Sequence, residues 1–246
     1  MSARQQFESN ATDLSEQTLG NIAVNLAGAT AVFRALKLDF CCNGNVSLRQ
    51  AAQDKHLDLN QLVGQLAALE HTEELPEEIS ADALIDHILT RYHDVHRAQL
   101  PELIRMAHRV ETVHQANPHV PAGLADLLET IQQEMLDHMV KEENILFPML
   151  RSGGNAFVGQ PIGMMRSEHI SHGEALDRVN ALTNDATPPP GACNTWRALY
   201  TGIAQFNDDL INHIHLENNV LFPAFESAPA PAKSGCGGGG NGCGCQ

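Results

Sequence analysis

The stretch His138-Met-Val-Lys-Glu142-Glu-Asn144-Ile-Leu-Phe-Pro148 decides how this chain folds, because it occurs twice. The second copy is His213-Ile-His-Leu-Glu217-Asn-Asn219-Val-Leu-Phe-Pro223, and both copies read H-x3-E-x-N-(I/V)-L-F-P without a gap. Residues four positions apart on an α-helix lie on the same face. Each copy therefore presents one imidazole and one carboxylate from one side of a helix.

A histidine and a glutamate on each of two facing helices are typical of helical bundles that hold a pair of transition-metal ions. A single H-x3-E pattern would carry little weight, because an isolated helical histidine is usually a surface or core residue. Two copies inside the same longer phrase favour a metal site. The Leu-Phe-Pro that closes each copy predicts apolar packing and then the end of the helix, because proline cannot continue the hydrogen-bond ladder.

The periodicity of apolar residues predicts four long helices, at roughly 80–116, 121–150, 160–183 and 192–222. Their connections are short, which favours antiparallel neighbours and an all-α, up-down-up-down four-helix bundle over 80–225. The repeated phrase falls on the second and fourth helices, so the bundle resembles two copies of one helical hairpin. An aromatic content of 4% suits a helical protein.

The rest of the chain divides into four regions of different composition. Short helical phrases over 13–72 predict a small helical domain, in which Cys41 and Cys42 are adjacent in a turn-rich loop. The other three regions are expected to lack a fold of their own: a disordered N-terminus at 1–12, an acidic linker at 73–79, and a flexible tail at 226–246 that is rich in Ala and Pro and then in Cys and Gly.

The composition limits the partners and the compartment. The net charge of −15 argues against a nucleic-acid partner. No apolar stretch reaches the length of about 18 residues that a membrane span needs, so we expect no membrane partner. The N-terminal residues lack the apolar region of a secretory signal, which predicts a cytoplasmic protein whose six cysteines are thiols.

The two similar hairpins predict further ligands on the first and third helices, where H-x-x-H pairs occur. We take the first histidine of each pair, and the spacing leaves His96 and His172 open as alternatives. The predicted set has four imidazoles and two carboxylates: His93, His138, Glu142, His169, His213 and Glu217. These ligands suit two first-row metals. Their neutral nitrogens favour reduced iron that is weakly held, although ligand type does not exclude zinc or manganese.

Four further residues are candidates for chemistry near the metal. Glu134 and Glu168 are close in sequence to ligand histidines and can line a channel, hydrogen-bond a ligand or relay protons. A disulfide between the adjacent Cys41 and Cys42 would be strained, so these thiols are expected to bind metal, donate to a partner or exchange disulfides.

Three other residues are interpreted as having no direct function. His215 lies two residues after His213 and is predicted to face solvent. His114 is interpreted as a structural histidine, and Cys193 as an incidental residue near the start of the fourth helix.

These motifs together resemble the di-iron family called repair of iron centres. The resemblance is carried by Asp39-Phe40-Cys41-Cys42, Arg91-Tyr92-His93, Ser167-Glu168-His169 and the two repeated phrases, and it spans about 13–225. It implies a hemerythrin-like bundle and makes the six residues above the ligands of two non-haem iron ions. These ions would be bridged by carboxylates and, when oxidised, by an oxo or hydroxo group.

The resemblance also implies a function, which is the restoration of iron–sulfur clusters after nitrosative or oxidative damage by a cytoplasmic homodimer. We expect damaged iron–sulfur proteins as clients, iron supplied from the site, and assistance from Cys41 and Cys42. Two alternatives stay open: hemerythrin-like binding or sensing of nitric oxide or dioxygen, and a redox enzyme acting on nitrogen oxides. The family's cysteine pair is commonly followed by two glycines, whereas this chain has Asn43-Gly44.

Overall fold

The computed structural model describes residues 14–69 and 80–226. The expected disordered N-terminus, the linker and all but the first residue of the tail lie outside these ranges. Within them all regular structure is helical, which confirms the predicted all-α bundle class. Among the described residues, no helix combines the length and the apolar character that crossing a bilayer requires.

The N-terminal part consists of short helices around their own core. The structure places them at α1 Leu19–Asn25, α2 Ala29–Ala35, α3 Leu48–Asp54 and α4 Leu59–Ala67. The core includes Phe33 and Phe40, whose ring centroids lie 5.7 Å apart. Gly28 separates α1 from α2 with a φ of 85°, a left-handed conformation that glycine adopts without strain. The cysteine loop connects α2 to α3.

The second part is a bundle of four long helices, three of which contain a π-helical turn. The first runs as α5 Ala81–Ile88, π1 Leu89–His93 and α6 Asp94–Val113, and the second as α7 Leu124–Lys141, π2 Glu142–Leu146 and α8 Phe147–Arg151. The third is α9 Gly159–Thr183, and the fourth runs as α10 Asn194–His215, π3 Leu216–Leu221 and α11 Pro223–Glu226. Each long helix packs against its neighbours in sequence, and the fourth also packs against the first, so the four helices form a closed ring.

The proline of the first repeated phrase does not end its helix, so the prediction was wrong there, whereas in the second phrase a turn at Phe222 separates π3 from α11. Pro148 lies in the first turn of α8, and Pro223 is the first residue of α11. Each follows a π-helical turn and therefore occupies the start of a new α-helical segment, where no backbone N–H is required. The second helix continues to Arg151, and the short α11 after the turn at Phe222 ends at Glu226.

A polar layer crosses the bundle between two apolar layers. One apolar layer includes Leu128 and Phe206, and the other includes Ile88, Phe147 and Phe222. Along each long helix the predicted ligands lie between residues of these two layers. Polar groups in such a position need partners, because burying them unpaired is costly.

The small domain covers one face of the fourth helix, which makes the solvent prediction for His215 wrong. The His215 ring packs edge-on against Phe40 with centroids 5.2 Å apart and is 5% exposed. Arg34 donates to Asn212 at 2.9 Å on the same helix. Burial lowers the pKa of His215 to about 4, so its imidazole is neutral. The prediction failed because it considered only the bundle and not the contact between the fourth helix and the small domain.

Candidate metal centre

The structure brings the six predicted ligands into one buried layer. His93 ends π1 and Glu142 begins π2, while Glu217 lies in π3, so three ligands sit on the π-helical turns. The other three lie on α-helices: His138 on α7, His169 on α9 and His213 on α10. All six are at most 2% exposed. Single π-helical turns are frequent at functional sites, and nothing in the sequence pattern predicted these.

The ligand atoms form two groups that share both carboxylates. The first half-site contains His93 and His213, the second contains His138 and His169, and both include Glu142 and Glu217, with ligand atoms within 4.8 Å of one another. The Nε2 atoms lie 3.2 Å apart in each histidine pair. Two nitrogens that bind one ion at about 2.1 Å and at right angles are about 3 Å apart, so each pair fits one ion.

Each glutamate turns one oxygen towards each half-site. Oε2 of Glu142 lies 3.3 Å from Nε2 of His93, and Oε1 lies 3.4 Å from Nε2 of His138. Oε1 of Glu217 lies 3.2 Å from Nε2 of His213, and Oε2 lies 3.0 Å from Nε2 of His169. A carboxylate that bridges two ions needs this orientation.

Three of the four oxygens of these buried carboxylates have no hydrogen-bond partner among the described residues. Both oxygens of Glu142 and Oε2 of Glu217 accept no hydrogen bond from a described residue. The neighbouring imidazoles approach them closely but without hydrogen-bond alignment. Burying a carboxylate without a partner is strongly unfavourable, and metal cations would supply the missing positive charge. The donor set therefore fits metal ions.

Without metal, protons on the neighbouring histidines supply part of the positive charge that the carboxylates need. Burial would raise the pKa of Glu142, but the nearby histidines outweigh it and hold that pKa well below its usual range. Burial would lower the pKa of His138, but Glu142 and Glu217 outweigh it and raise that pKa to about 9. Metal ions and protons therefore compete for the same nitrogens.

Hydrogen bonds donated by Nδ1–H orient three of the four histidines. The partner atoms are Oε1 of Glu143 for His93 at 2.7 Å, Oε2 of Glu168 for His138 at 2.8 Å, and Oδ1 of Asn218 for His169 at 3.0 Å. Nδ1 of His213 has no hydrogen-bond partner among the described residues, and Tyr92 stacks on this ring with centroids 5.4 Å apart. Outer contacts of this kind fix the tautomer and the orientation of a ligand.

The two outer carboxylates are held by cations. Arg97 donates to Glu143 at 2.7 Å, and Lys141 donates to Glu168 at 2.5 Å. Burial would raise the pKa of both carboxyl groups, but these cations and the ligand histidines outweigh it and lower both pKa values. Both groups are therefore ionised acceptors for the ligand N–H.

The two predicted acidic candidates have different positions. Glu168 contacts a ligand, as one of its expected roles requires. Glu134 is exposed, and its side chain forms no hydrogen bond or ion pair with another residue in 14–69 or 80–226, so the structure does not bring it to the ligands.

His96 and His172, the open alternatives, are buried next to the ligands but outside both groups. The His96 ring lies 5.5 Å from the ring of His213, and the His172 ring lies 4.9 Å from that of His138. Burial lowers the pKa of His96 to about 2 and that of His172 to about 3. Both are therefore neutral packing partners of the ligand rings.

Cys41 and Cys42 lie against the second half-site. Their Sγ atoms are 3.7 Å apart and unbonded. The Cys42 thiol donates to the carbonyl oxygen of His169 at 3.5 Å, and Asn218 donates to the carbonyl oxygen of Cys41 at 2.9 Å. The hydrogen bond with Cys42, together with burial, raises the pKa of Cys41 far above its usual value. With Asp39, the two thiols form a third group of possible metal ligands, beside a pocket of about 680 Å³.

Sequence reasoning missed three of the outer residues, although a signal for them was present. Glu143 and Asn218 both directly follow the glutamate of a repeated phrase. Tyr92 directly precedes a ligand histidine, as Glu168 does. Comparing equivalent positions of the two hairpins would have found them.

A four-helix bundle with a buried layer of histidines and glutamates is typical of non-haem metal-binding proteins. The hemerythrin HHE cation binding domain matches residues 84–225, and a domain of unknown function (DUF542) matches residues 15–70. The chain is 52% identical to iron–sulfur cluster repair protein YtfE of Dickeya chrysanthemi (strain Ech1591), over 85% of this chain and 96% of that protein. It is 50% identical to the protein of the same name from Yersinia pestis (strain Pestoides F), over 86% of this chain and 97% of the relative. The chain belongs to the family of these iron–sulfur cluster repair proteins, which confirms the resemblance inferred from its sequence.

Proposed function

We propose that the protein repairs iron–sulfur clusters damaged by nitrosative or oxidative stress, with iron that it supplies from two non-haem ions bridged by Glu142 and Glu217. The observation that carries this proposal is the orientation of the two glutamates, each with one oxygen towards each histidine pair. The names of the relatives support cluster repair as the purpose of the site.

The ligand chemistry supports release of iron in preference to storage. Two carboxylates bring two negative charges to a pair of divalent ions, and the four imidazoles are neutral. Bundles that hold iron with more carboxylates neutralise it more fully. Bound iron would supply a positively charged centre with open positions for small ligands such as nitric oxide or dioxygen.

The position of the cysteine loop supports a role in transfer. The Cys42 thiol contacts the main chain of His169, a residue of the second half-site. Cys41, Cys42 and Asp39 offer ligand atoms close to one another. We infer that this group receives iron as it leaves the second half-site.

The proposal is tested with iron-loaded protein, prepared without air and mixed with a cluster-depleted dehydratase whose recovered activity is recorded. Wild-type protein should restore activity. His138→Ala, which removes one ligand nitrogen, should restore little. His119→Ala changes an exposed histidine and should match wild type. Equal recovery with His138→Ala and wild type would overturn iron donation.

A second comparison isolates the cysteines. The Cys41→Ser/Cys42→Ser double variant should keep its iron and transfer it more slowly. Reversible binding of nitric oxide, with no loss of iron to the acceptor, would favour the sensing alternative. Sustained turnover of nitrogen oxides with a reductant would favour the alternative of a redox enzyme acting on nitrogen oxides.

The proposal includes a cytoplasmic homodimer, which the family resemblance implies. Light scattering of the iron-loaded protein should give twice the mass of one chain. A mass equal to one chain at micromolar concentration would contradict the dimer.

A further inference from the structure

Cys193 and His114 form a side-chain pair at the end of the bundle far from the metal layer. Nε2 of His114 lies 3.2 Å from Sγ of Cys193. His114 follows the last residue of α6, and Cys193 precedes the first residue of α10. At 1.5 Å per residue, the helices place this pair about 30 Å from His93 and from His213. The pair is therefore separate from the metal centre.

The pair lines an open pocket of about 360 Å³. Both side chains are partly exposed, so a small molecule in the pocket can reach them. Trp196 packs beside the His114 ring with centroids 5.0 Å apart, which holds the imidazole in place. Among the described residues that line the pocket, Arg109 is the permanently charged one. The pocket thus combines a nucleophile, a base and a cation.

The geometry suits activation of the thiol. A thiolate is the reactive form of cysteine, and a neighbouring histidine and a helix N-terminus both favour it. Cys193 stands at the N-terminus of the 22-residue helix α10, and its side chain makes no capping hydrogen bond. Its sulfur is therefore available for chemistry. Cys41, by contrast, is a buried thiol.

We propose that Cys193 is a reactive thiol, activated by His114, that exchanges with low-molecular-weight disulfides carrying carboxylates. The thiol proton moves to Nε2 of His114, and Sγ attacks one sulfur of the disulfide. A new S–S bond forms while the original one breaks, and the departing thiolate takes up the proton. Cys193 is oxidised to a mixed disulfide and the departing half is reduced to a thiol, so no other oxidant is needed. Arg109 selects the negative charge of the disulfide.

The first test measures alkylation of Cys193 by iodoacetamide at neutral pH in the iron-loaded, full-length protein, with peptide mapping to separate the six cysteines. Cys193 should react about tenfold faster in the folded protein than in guanidinium-unfolded chain, despite its partial burial. An equal or slower rate in the folded protein would overturn the proposal. This comparison needs no variant.

Substitution of His114 then tests whether this histidine activates the Cys193 thiol. His114→Gln should lower the Cys193 rate to that of the unfolded chain or below it. His108→Gln, an exposed histidine on the same helix that pairs with Glu129, should leave the rate unchanged. Unchanged iron content and circular dichroism show that each variant is folded. A His114→Gln rate equal to that of wild type would overturn the role of His114.

The charge preference is tested with two disulfides, oxidised glutathione and the uncharged 2-hydroxyethyl disulfide. Arg109→Gln should slow formation of the Cys193 mixed disulfide with oxidised glutathione several-fold and leave the uncharged reaction unchanged. Equal slowing of both reactions, or of neither, would overturn the selection of anionic disulfides.

Discussion

The first and second half-sites share their carboxylates but differ in what holds their histidines. In the first half-site, Glu143 accepts the hydrogen bond of His93, whereas Nδ1 of His213 has no partner among the described residues. In the second, both histidines donate from Nδ1, one to a carboxylate and one to an amide. Since an outer hydrogen bond typically changes metal affinity by about 10–100-fold, the first half-site should hold its ion less tightly.

The two half-sites differ because equivalent positions of the two hairpins carry different residues. The position after the motif glutamate is Glu143 in one copy and Asn218 in the other. The position before the ligand histidine is Glu168 on the third helix and Tyr92 on the first, where a stacked ring replaces the hydrogen bond. The two hairpins share their ligand residues and differ in their outer contacts.

One of the contacts that differ connects the second half-site to the small domain. Asn218 accepts from His169 and donates to the carbonyl oxygen of Cys41 through the same amide. A carboxylate at this position could not donate. The amide therefore allows the cysteine loop and a ligand histidine to be held together.

The largest expected effect comes from removing a group that both half-sites share. Glu142→Ala should abolish binding of both ions, because each of its oxygens faces a different histidine pair. Iron per chain, measured after anaerobic loading and desalting, should fall to near zero. Glu129→Ala removes an exposed carboxylate and should load like wild type. Retention of one full ion by Glu142→Ala would show that the two half-sites do not share this carboxylate.

The next effect concerns the outer carboxylates. Wild-type protein should release iron to a ferrous chelator in two phases, the faster one from the first half-site. Glu168→Ala should weaken the second half-site by about 10–100-fold and bring the phases together. Glu143→Ala should weaken the first half-site and move the phases further apart.

Glutamine at these positions provides the matched control. Glu143→Gln and Glu168→Gln keep an acceptor for the ligand N–H while removing its charge, so their effects should fall between wild type and alanine. If Glu143→Ala and Glu168→Ala altered the same phase, the two half-sites would not be the units that release iron.

The bundle and the six converging ligands could be predicted because they follow from local regularities. Helical periodicity and the i, i+4 spacing depend on residues of one helix, and the repeat extends them to two. The π-helical turns at His93, Glu142 and Glu217 could not be predicted, since they reflect how the helices adapt to the site.

Contacts between distant segments were also beyond prediction from one sequence. The burial of His215 under Phe40 and the bond from Asn218 to Cys41 join the small domain to the last helix. The pair of His114 and Cys193 joins the end of one helix to the start of another. Neither kind of contact leaves a periodic signal.

A smaller effect is expected from the residue that connects the two domains. Asn218→Ala leaves Nδ1 of His169 and the carbonyl oxygen of Cys41 without their partner, which should cost about 1–3 kcal/mol of unfolding free energy. Asn144→Ala removes an exposed asparagine of the first repeated phrase and should change the free energy of unfolding by less than about 0.5 kcal/mol. Urea unfolding of the iron-loaded variants measures both values. Faster alkylation of Cys42 in Asn218→Ala alone would show that the loop is released, and equal rates in both variants would contradict the connection.

The smallest effect is expected from removing the cations Lys141 and Arg97, which contact the outer carboxylates. Lys141 contacts Glu168 at a partly exposed position, where an ion pair contributes about 0.2–1 kcal/mol, so Lys141→Gln should speed the slower phase of iron release by less than about fivefold. Arg97→Gln should change the faster phase by a similar factor, because Arg97 holds Glu143 in the same way. The cations act through the carboxylates, so each must have a smaller effect than the alanine variant of the carboxylate it contacts. If Lys141→Gln matched Glu168→Ala, the ion pair, and not the hydrogen bond to His138, would be what orients the second half-site.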